Sequence, residues 1–337
     1  MLLRTARQLL IGTSLVYSVG VAILTVVWTI SSYQRWWLTL TNIFALLFFM
    51  PLLLLIPAAL VIRSWGLRAA AVIASAAFLA LFGGRILPPA APAPGGTPLR
   101  VMTFNHLFRN QRIGAIIGAI RSQNADVVAL QELSQPVASA IARELRDTYP
   151  YQYLRPSDTN QGLGIISRYQ FQSMSEVEND FLGLQVTMRI GRDSVTLIGL
   201  HLGSPVYKIR RVRGLPIITG YDTNLVSHQV GVLVQRIDKL QGPLIVMGDF
   251  NTSDREPRYQ ELATRMHDAF GETGWGFGFS FPDHKRFGPV TMPLPLIRID
   301  YIWSKGGVLP TASYVECNNT GADHCFLVAD LRLGTTQ

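Results

Sequence analysis

Apolar positions follow two regimes along the chain. As far as residue 87 they run almost unbroken, in three stretches at about Leu9–Ile30, Trp37–Ile62 and Ala69–Leu87. A helix needs ~20 apolar residues to cross the hydrocarbon core, so the pattern predicts three transmembrane helices within residues 1–87, the third being short and rich in alanine. A cleaved signal peptide accounts for one such stretch and not for three. Pro88–Pro98, with Ala-Pro repeats and two glycines, reads as a semi-rigid tether.

From Leu99 the apolar runs become short and alternate with polar loops. They predict strands at Leu99–Phe104, Asp126–Leu130, Gly162–Ser167, Leu184–Ile190, Ser194–Leu200, Leu244–Met247, Ile299–Ser304 and Phe326–Leu331. Helical spacing appears in Arg112–Gln123 (Ile113, Ile116, Ile117, Ile120), in Pro136–Tyr149 (Val137, Ile141, Leu145) and in Asn224–Leu240 (Leu225, Val232, Ile237). Many strands with interspersed helices and no regular βαβ repetition predict an α/β sandwich rather than a doubly wound sheet.

Charge changes the picture in one respect. The chain holds 30 Lys and Arg against 22 Asp and Glu, but residues 1–96 carry Arg4, Arg7, Arg35, Arg63, Arg68 and Arg85 and no acid. Residues 97–337 are therefore left with 24 bases against 22 acids, a net of +2. The basic footprint expected of a nucleic-acid-binding domain is missing. The same arginines set an orientation: Arg4, Arg7, Arg63 and Arg68 lie on one side of the three spans, Arg35 and Arg85 on the other. Four against two favours a cytoplasmic N-terminus and an extracytoplasmic C-terminal domain, in a multi-pass protein of the cell membrane. The two cysteines, Cys317 and Cys325, flank Asp323-His324. They suit either a short disulfide loop or two buried thiols, and with no Cys-x-x-Cys pair the sequence does not support a four-ligand zinc site.

Candidate chemistry sits at strand ends. Gly248-Asp249-Phe250-Asn251 follows the apolar run Leu244–Met247 and sets a carboxylate and a carboxamide two residues apart. Asp can hold a hard cation or orient water, and Asn offers an N–H to a phosphate oxygen. Alone, the pair also fits a plain turn, since both side chains cap their own backbone. The placement recurs, however: Asn105, Glu132 and His201 each end a strand, Asp300 lies in Arg298-Ile299-Asp300-Tyr301-Ile302, and Asp323-His324 precedes the last strand. Polar groups gathered on one rim of a sheet make a binding site.

With Met102-Thr103-Phe104-Asn105, Leu130-Gln131-Glu132, Gly164-Ile165-Ile166-Ser167-Arg168, Leu200-His201-Leu202, Gly248-Asp249-Phe250-Asn251, Arg298-Ile299-Asp300-Tyr301-Ile302 and Asp323-His324 in this order, residues 99–333 resemble the endonuclease/exonuclease/phosphatase (DNase I-like) superfamily. The resemblance implies a four-layered α/β sandwich, two packed mostly antiparallel sheets flanked by helices, in a catalytic domain spanning residues 99–337. It implies a Mg²⁺-dependent phosphoric ester hydrolase, with Mn²⁺ as a substitute, in which metal-assisted water attacks phosphorus in line. Asn105, Glu132 and Asp323 would serve the metal. Asp249 would orient or deprotonate water, and Asn251 would hold a phosphate oxygen. His324, steadied by Asp300, would act as base or stabilise the transition state, and His201 would donate on the phosphate side.

Two loops bear on substrate. Lys208, Arg210, Arg211 and Arg213, followed by apolar Leu215–Ile218, suit anionic headgroups at a bilayer, or simply a solvated basic loop. Trp275-Gly276-Phe277-Gly278-Phe279-Ser280-Phe281 suits a membrane interface, a nucleobase stack or core packing. Tethering beside a bilayer raises the effective concentration of lipid headgroups. The favoured expectation is therefore a membrane-anchored phosphodiesterase or phosphatase of lipid-linked or headgroup phosphoesters. An extracytoplasmic Mg²⁺-dependent nuclease, with nucleic acid as its partner, is the alternative, and a catalytically inactive membrane scaffold is the third reading.

Overall fold

The computed structural model describes residues 2–31, 35–89, 95–177, 181–287 and 290–334. Residues 90–94 of the expected tether lie outside them. The chain divides into two compact units, residues up to 87 together with 218–221, and the remainder.

The first unit contains α1 (Leu2–Ser31), α2 (Trp36–Ile43), α3 (Ala45–Phe48), α4 (Leu52–Val61) and α5 (Trp65–Phe82). Among the described residues two helices, over Arg4–Ile30 and Trp65–Arg85, are long and apolar enough to cross a membrane. In the second apolar stretch, expected as one span, Trp36–Ile43 and Ala45–Val61 meet at a bend of 76°, the geometry of a broken span or of a re-entrant loop. Pro51 precedes α4 and Pro57 lies inside it. Each lacks the N–H that would continue an i→i−4 ladder.

The second unit begins with β1 (Thr97–Asn105), α6 (Ile113–Gln123), β2 (Val127–Gln131), α7 (Gln135–Glu144), β3 (Tyr151–Arg155) and β4 (Leu163–Ser167). It continues with β5 (Phe171–Glu176), β6 (Leu182–Ile190), β7 (Asp193–His201), β8 (Val206–Val212), β9 (Leu215–Asp222, of which residues 218–221 group with the first unit), α8 (Asn224–Lys239) and β10 (Leu244–Asp249). It closes with α9 (Pro257–Ala263), β11 (His267–Asp268), α10 (Ala269–Thr273), β12 (Arg286–Phe287), β13 (Val290–Thr291), β14 (Asp300–Lys305), β15 (Val308–Glu316) and β16 (Phe326–Leu333). Two six-stranded sheets form, ordered β15-β16-β1-β2-β4-β3 and β11-β14-β10-β7-β6-β5. Each contains one parallel pair, β1–β2 in the first and β7–β10 in the second, among antiparallel neighbours.

Strand alternation builds the layers. In β1 and β2, Val101, Val127 and Ala129 face the second sheet, while Met102, Phe104, Val128 and Leu130 face α6 and α7. In β10, Ile245 and Met247 enter the inter-sheet core, while Leu244 and Val246 pack with Val230, Leu233 and Ile237 of α8. The outcome is helices, sheet, sheet, helices, as the resemblance implied. α7 is shorter than expected and ends at Glu144, yet Leu145 and Tyr149 remain buried in its core. Strand β5 escapes the apolar pattern because all but its first residue is exposed. The basic segment after His201, expected as a loop, is a two-stranded hairpin of β8 and β9.

Candidate active site

Parity carries the polar strand ends to one place. Counting by twos from inward-facing Val101, Leu197, Met247 and Ile302 reaches Asn105, His201, Asp249 and Asp300, so each side chain belongs to the inter-sheet face at the end of its strand. Asp249 is in register with His201 on one side and Asp300 on the other. Gly248 permits this crossing. Its φ is +150°, and a Cβ there would stand 2.0 Å from the Leu200 carbonyl oxygen.

Asp249 Oδ2 is the hub. Asn105 Nδ2 donates to it at 3.0 Å, while His201 Nε2 lies at 3.5 Å and His324 Nε2 at 3.7 Å. The other oxygen, Oδ1, accepts the Asn251 N–H at 2.8 Å. Asn105 Nδ2 also reaches Glu132 Oε1 at 3.2 Å, and Glu132 Oε2 accepts the Phe108 N–H at 3.1 Å. Glu132 and Asn251 both sit in the left-handed region, with φ of 59° and 49°, which turns each away from its strand's parity. The Asn251 amide donates to the Leu202 carbonyl at 2.8 Å.

His324 Nδ1 pairs with Asp300 Oδ2 at 2.9 Å. Burial pulls the imidazole toward neutrality, but Asp300, Asp249 and Asp323 outweigh it and lift its pKa to about 10. Burial raises the Asp249 carboxyl, aided by Asp300 and opposed by the two histidines and the Asn251 N–H. His201 Nδ1 faces the Asn160 carbonyl at 3.1 Å. With Nδ1 as donor there, Nε2 is the nitrogen directed at Asp249. No carboxylate partner for His201 is legible in the sequence, and a main-chain carbonyl takes that place.

The structure thus joins Asn105, Glu132, His201, Asp249, Asp300 and His324 in one hydrogen-bonded and ion-paired group, with Asn251 on the Asp249 carboxylate. Asp323, expected beside Asn105 and Glu132, pairs instead with Lys285 Nζ at 2.7 Å. Lys208, Arg210, Arg211 and Arg213 lie on the exposed hairpin that follows His201, and Lys208 stands 3.7 Å from Asp222. Three supporting residues carry no strand-end signal. Ser280 Oγ accepts the N–H groups of Ile299 and Asp300 at 3.3 Å each. Fully buried Arg298 is held by Asp268 at 2.7 Å and Asp254 at 3.6 Å. His106, buried against Phe104, is pushed down to about 4 by desolvation.

The donor set suits a hard cation. Glu132, Asn105 and Asp249 offer oxygen atoms, Asp300 Oδ1 is buried without a hydrogen-bond partner, and the ligand atoms of Asp249, Asp300 and His324 lie within 4.8 Å of one another. Oxygen ligands of this kind match Mg²⁺ or Mn²⁺. The other such cluster, Asp283 with Cys317 and Cys325, is not one, because those cysteines form a disulfide with Cα atoms 4.4 Å apart. That settles the open cysteine alternative.

Comparison with known proteins places this geometry. The endonuclease/exonuclease/phosphatase family matches residues 102–324, well over half of the chain, and the chain belongs to that family. Members are typically hydrolases of phosphoesters and generally use divalent metals. No curated protein matches the sequence significantly. Among solved structures, an endonuclease/exonuclease/phosphatase from Bacteroides vulgatus is 18% identical, with a TM-score of 0.53 over 70% of this chain and 99% of its own. D. rerio TDP2, complexed with single strand DNA product, is 17% identical with a TM-score of 0.53, over 70% and 99%. The human Nocturnin catalytic domain, with bound sulfate, is 18% identical with a TM-score of 0.51, over 73% and 99%. At these identities the likeness establishes the fold.

Proposed function

We propose that this chain is a membrane-anchored, Mg²⁺-dependent hydrolase of lipid-linked or headgroup phosphoesters. The observation that carries the chemistry is Asp249 Oδ2, a buried carboxylate oxygen faced by Asn105, His201 and His324 within 3.0 to 3.7 Å. Glu132 and Asn105 would hold the ion, whose chemistry there is to neutralise charge on a phosphoryl or leaving oxygen. Asp249, made more basic by burial, accepts a proton from the attacking water. His324, protonated at neutral pH because of Asp300, donates to the charge that builds on phosphorus oxygens rather than acting as base. His201 presents Nε2 to the phosphate side while Asn160 fixes its ring. Asn251, anchored through its own N–H and amide, lines the phosphate side.

The lipid preference rests on the two or three helices apolar enough to cross a membrane and on the hairpin. There, Val206, Ile209, Leu215 and Ile217 are exposed between Lys208, Arg210, Arg211 and Arg213. Apolar and cationic side chains so mixed suit a bilayer interface and its phosphates. The disulfide supports an extracytoplasmic site, since such bonds persist in oxidising compartments.

A nuclease is the second reading. Trp275 is exposed, Phe277 and Phe279 stack at 5.2 Å, and aromatic surfaces of this kind hold unpaired bases. TDP2, of like fold, was captured with single-stranded DNA. Purified full-length protein in detergent, supplied with Mg²⁺ and a panel of phospholipids, lipid phosphates, lipid pyrophosphates and plasmid DNA, separates the two. Release of phosphate or headgroup from lipids, lost in Glu132→Ala, is expected; cleavage of DNA alone would replace the lipid reading with the nuclease one. Inactivity on every substrate would leave the scaffold.

A further inference from the structure

Lys285 brings a positive charge to the site from outside the strand-end motifs. Its ammonium lies 2.7 Å from Asp323 Oδ2 and 4.6 Å from the centre of the Phe281 ring. That ring packs 4.7 Å from the His324 imidazole. The main chain on both sides is tied: the Met292 N–H donates to the Lys285 carbonyl at 2.9 Å, and the Asp283 N–H to the Asp323 carbonyl at 2.8 Å. Asp323 Oδ1 is buried and has no hydrogen-bond partner among the described residues, so this ammonium is the cation in contact with the carboxylate, alongside the field of the neighbouring His324. Beside the pair opens a pocket of about 350 Å³ lined by Leu107, His284, Lys285, Arg286 and Asn319.

We propose that Lys285 is the site's fixed second cation. Two-metal phosphoesterases place their ions about 3.5–4 Å apart and clamp both oxygens of an in-line displacement. Here Asp323, a carboxylate that the resemblance gives to the metal, is engaged by a covalently tethered ammonium, and a dication at the same oxygen would meet like charge at contact distance. An ammonium has three N–H groups. Asp323 takes one, the Phe281 face attracts the charge, and a remaining N–H is left for an oxygen of a phosphoester seated in the pocket. The site then needs one divalent ion, at Glu132 and Asn105. This rests on the metal-dependent phosphoesterase reading.

The test counts ions on the full-length protein in detergent, with Mn²⁺ as the probe, by calorimetric titration and by the loss of free-ion electron-spin resonance signal. One bound Mn²⁺ per chain is expected in the wild type and in Lys285→Arg, and two in Lys285→Met, where Asp323 has lost its contact cation. Lys285→Gln serves as a second charge-removing variant, and circular dichroism shows which variants are folded. Two ions in the wild type, or one in both folded charge-removing variants, would overturn the role of Lys285 and leave the one-site hydrolase reading standing. No bound ion in any form would overturn both.

Discussion

At the residue scale, Asp249 collects more of the site than any other side chain, because two strand ends, Asn105 and His201, and two loop residues, Asn251 and His324, converge on its two oxygens. Replacement by Asn keeps the shape and removes the proposed proton acceptor. Turnover should fall by roughly 10²–10⁴, the range for a positioned general base, with the circular dichroism spectrum unchanged; a variant that retains wild-type turnover would remove Asp249 from proton transfer. His324 makes a separate prediction through pH. Its folded pKa of about 10 lies above the ordinary 6.5. Protonated His324 therefore contributes stability that is fully present below pH 6.5 and is lost as pH rises through 10. In metal-free buffer the melting temperature of His324→Asn should trail the wild type most near pH 6, and the gap should close by pH 10. A gap that grows with pH contradicts the Asp300 pairing as its source.

At the scale of elements, β10 and the Cys317–Cys325 loop hold the chemistry in place. Gly248→Ala must fit a Cβ 2.0 Å from the Leu200 carbonyl at φ of +150°. Distortion of that order costs about 1–3 kcal/mol or more, readable as a lower urea midpoint, and it would shift Asp249 as well. The disulfide joins residues eight apart in sequence and encloses Asp323 and His324. Loop-closure entropy for such a ring is about 2–3 kcal/mol, so Cys317→Ser should lower the urea midpoint and turnover together. The strands that carry the site were legible because both their faces are buried. Their runs, such as Leu244–Met247, are apolar throughout and end abruptly in polar residues. The edges were not, since β5 and the β8–β9 hairpin present mostly exposed residues and lack a one-sided pattern. Lys285, Ser280 and Asn160 were invisible for another reason. They act through chain folding that brings loops distant in sequence together, and two of the three contacts involve the main chain or a single hydroxyl.

At the scale of the whole molecule, under the proposed membrane anchoring, the side on which the second unit stands would decide what it can meet, and one chemical property reports it. The six arginines of residues 1–96 predict an outside location if three segments cross, whereas a re-entrant second stretch, bent by 76°, leaves two crossings. An even number of crossings would put the site beside cytoplasmic nucleic acid and in a reducing compartment. The chain has two cysteines, and both are in the one disulfide. Their redox state in the cell is thus an independent reading of topology, unmixed with other thiols. Cells lysed in acid, to freeze thiol exchange, and then labelled in denaturant with a large maleimide should show no gel shift of this chain, and a two-label shift after reductant. A two-label shift without reductant would place the unit on the cytoplasmic side. That result would leave the hydrolase geometry intact and move the favoured substrate from outward-facing lipid phosphoesters toward nucleic acid.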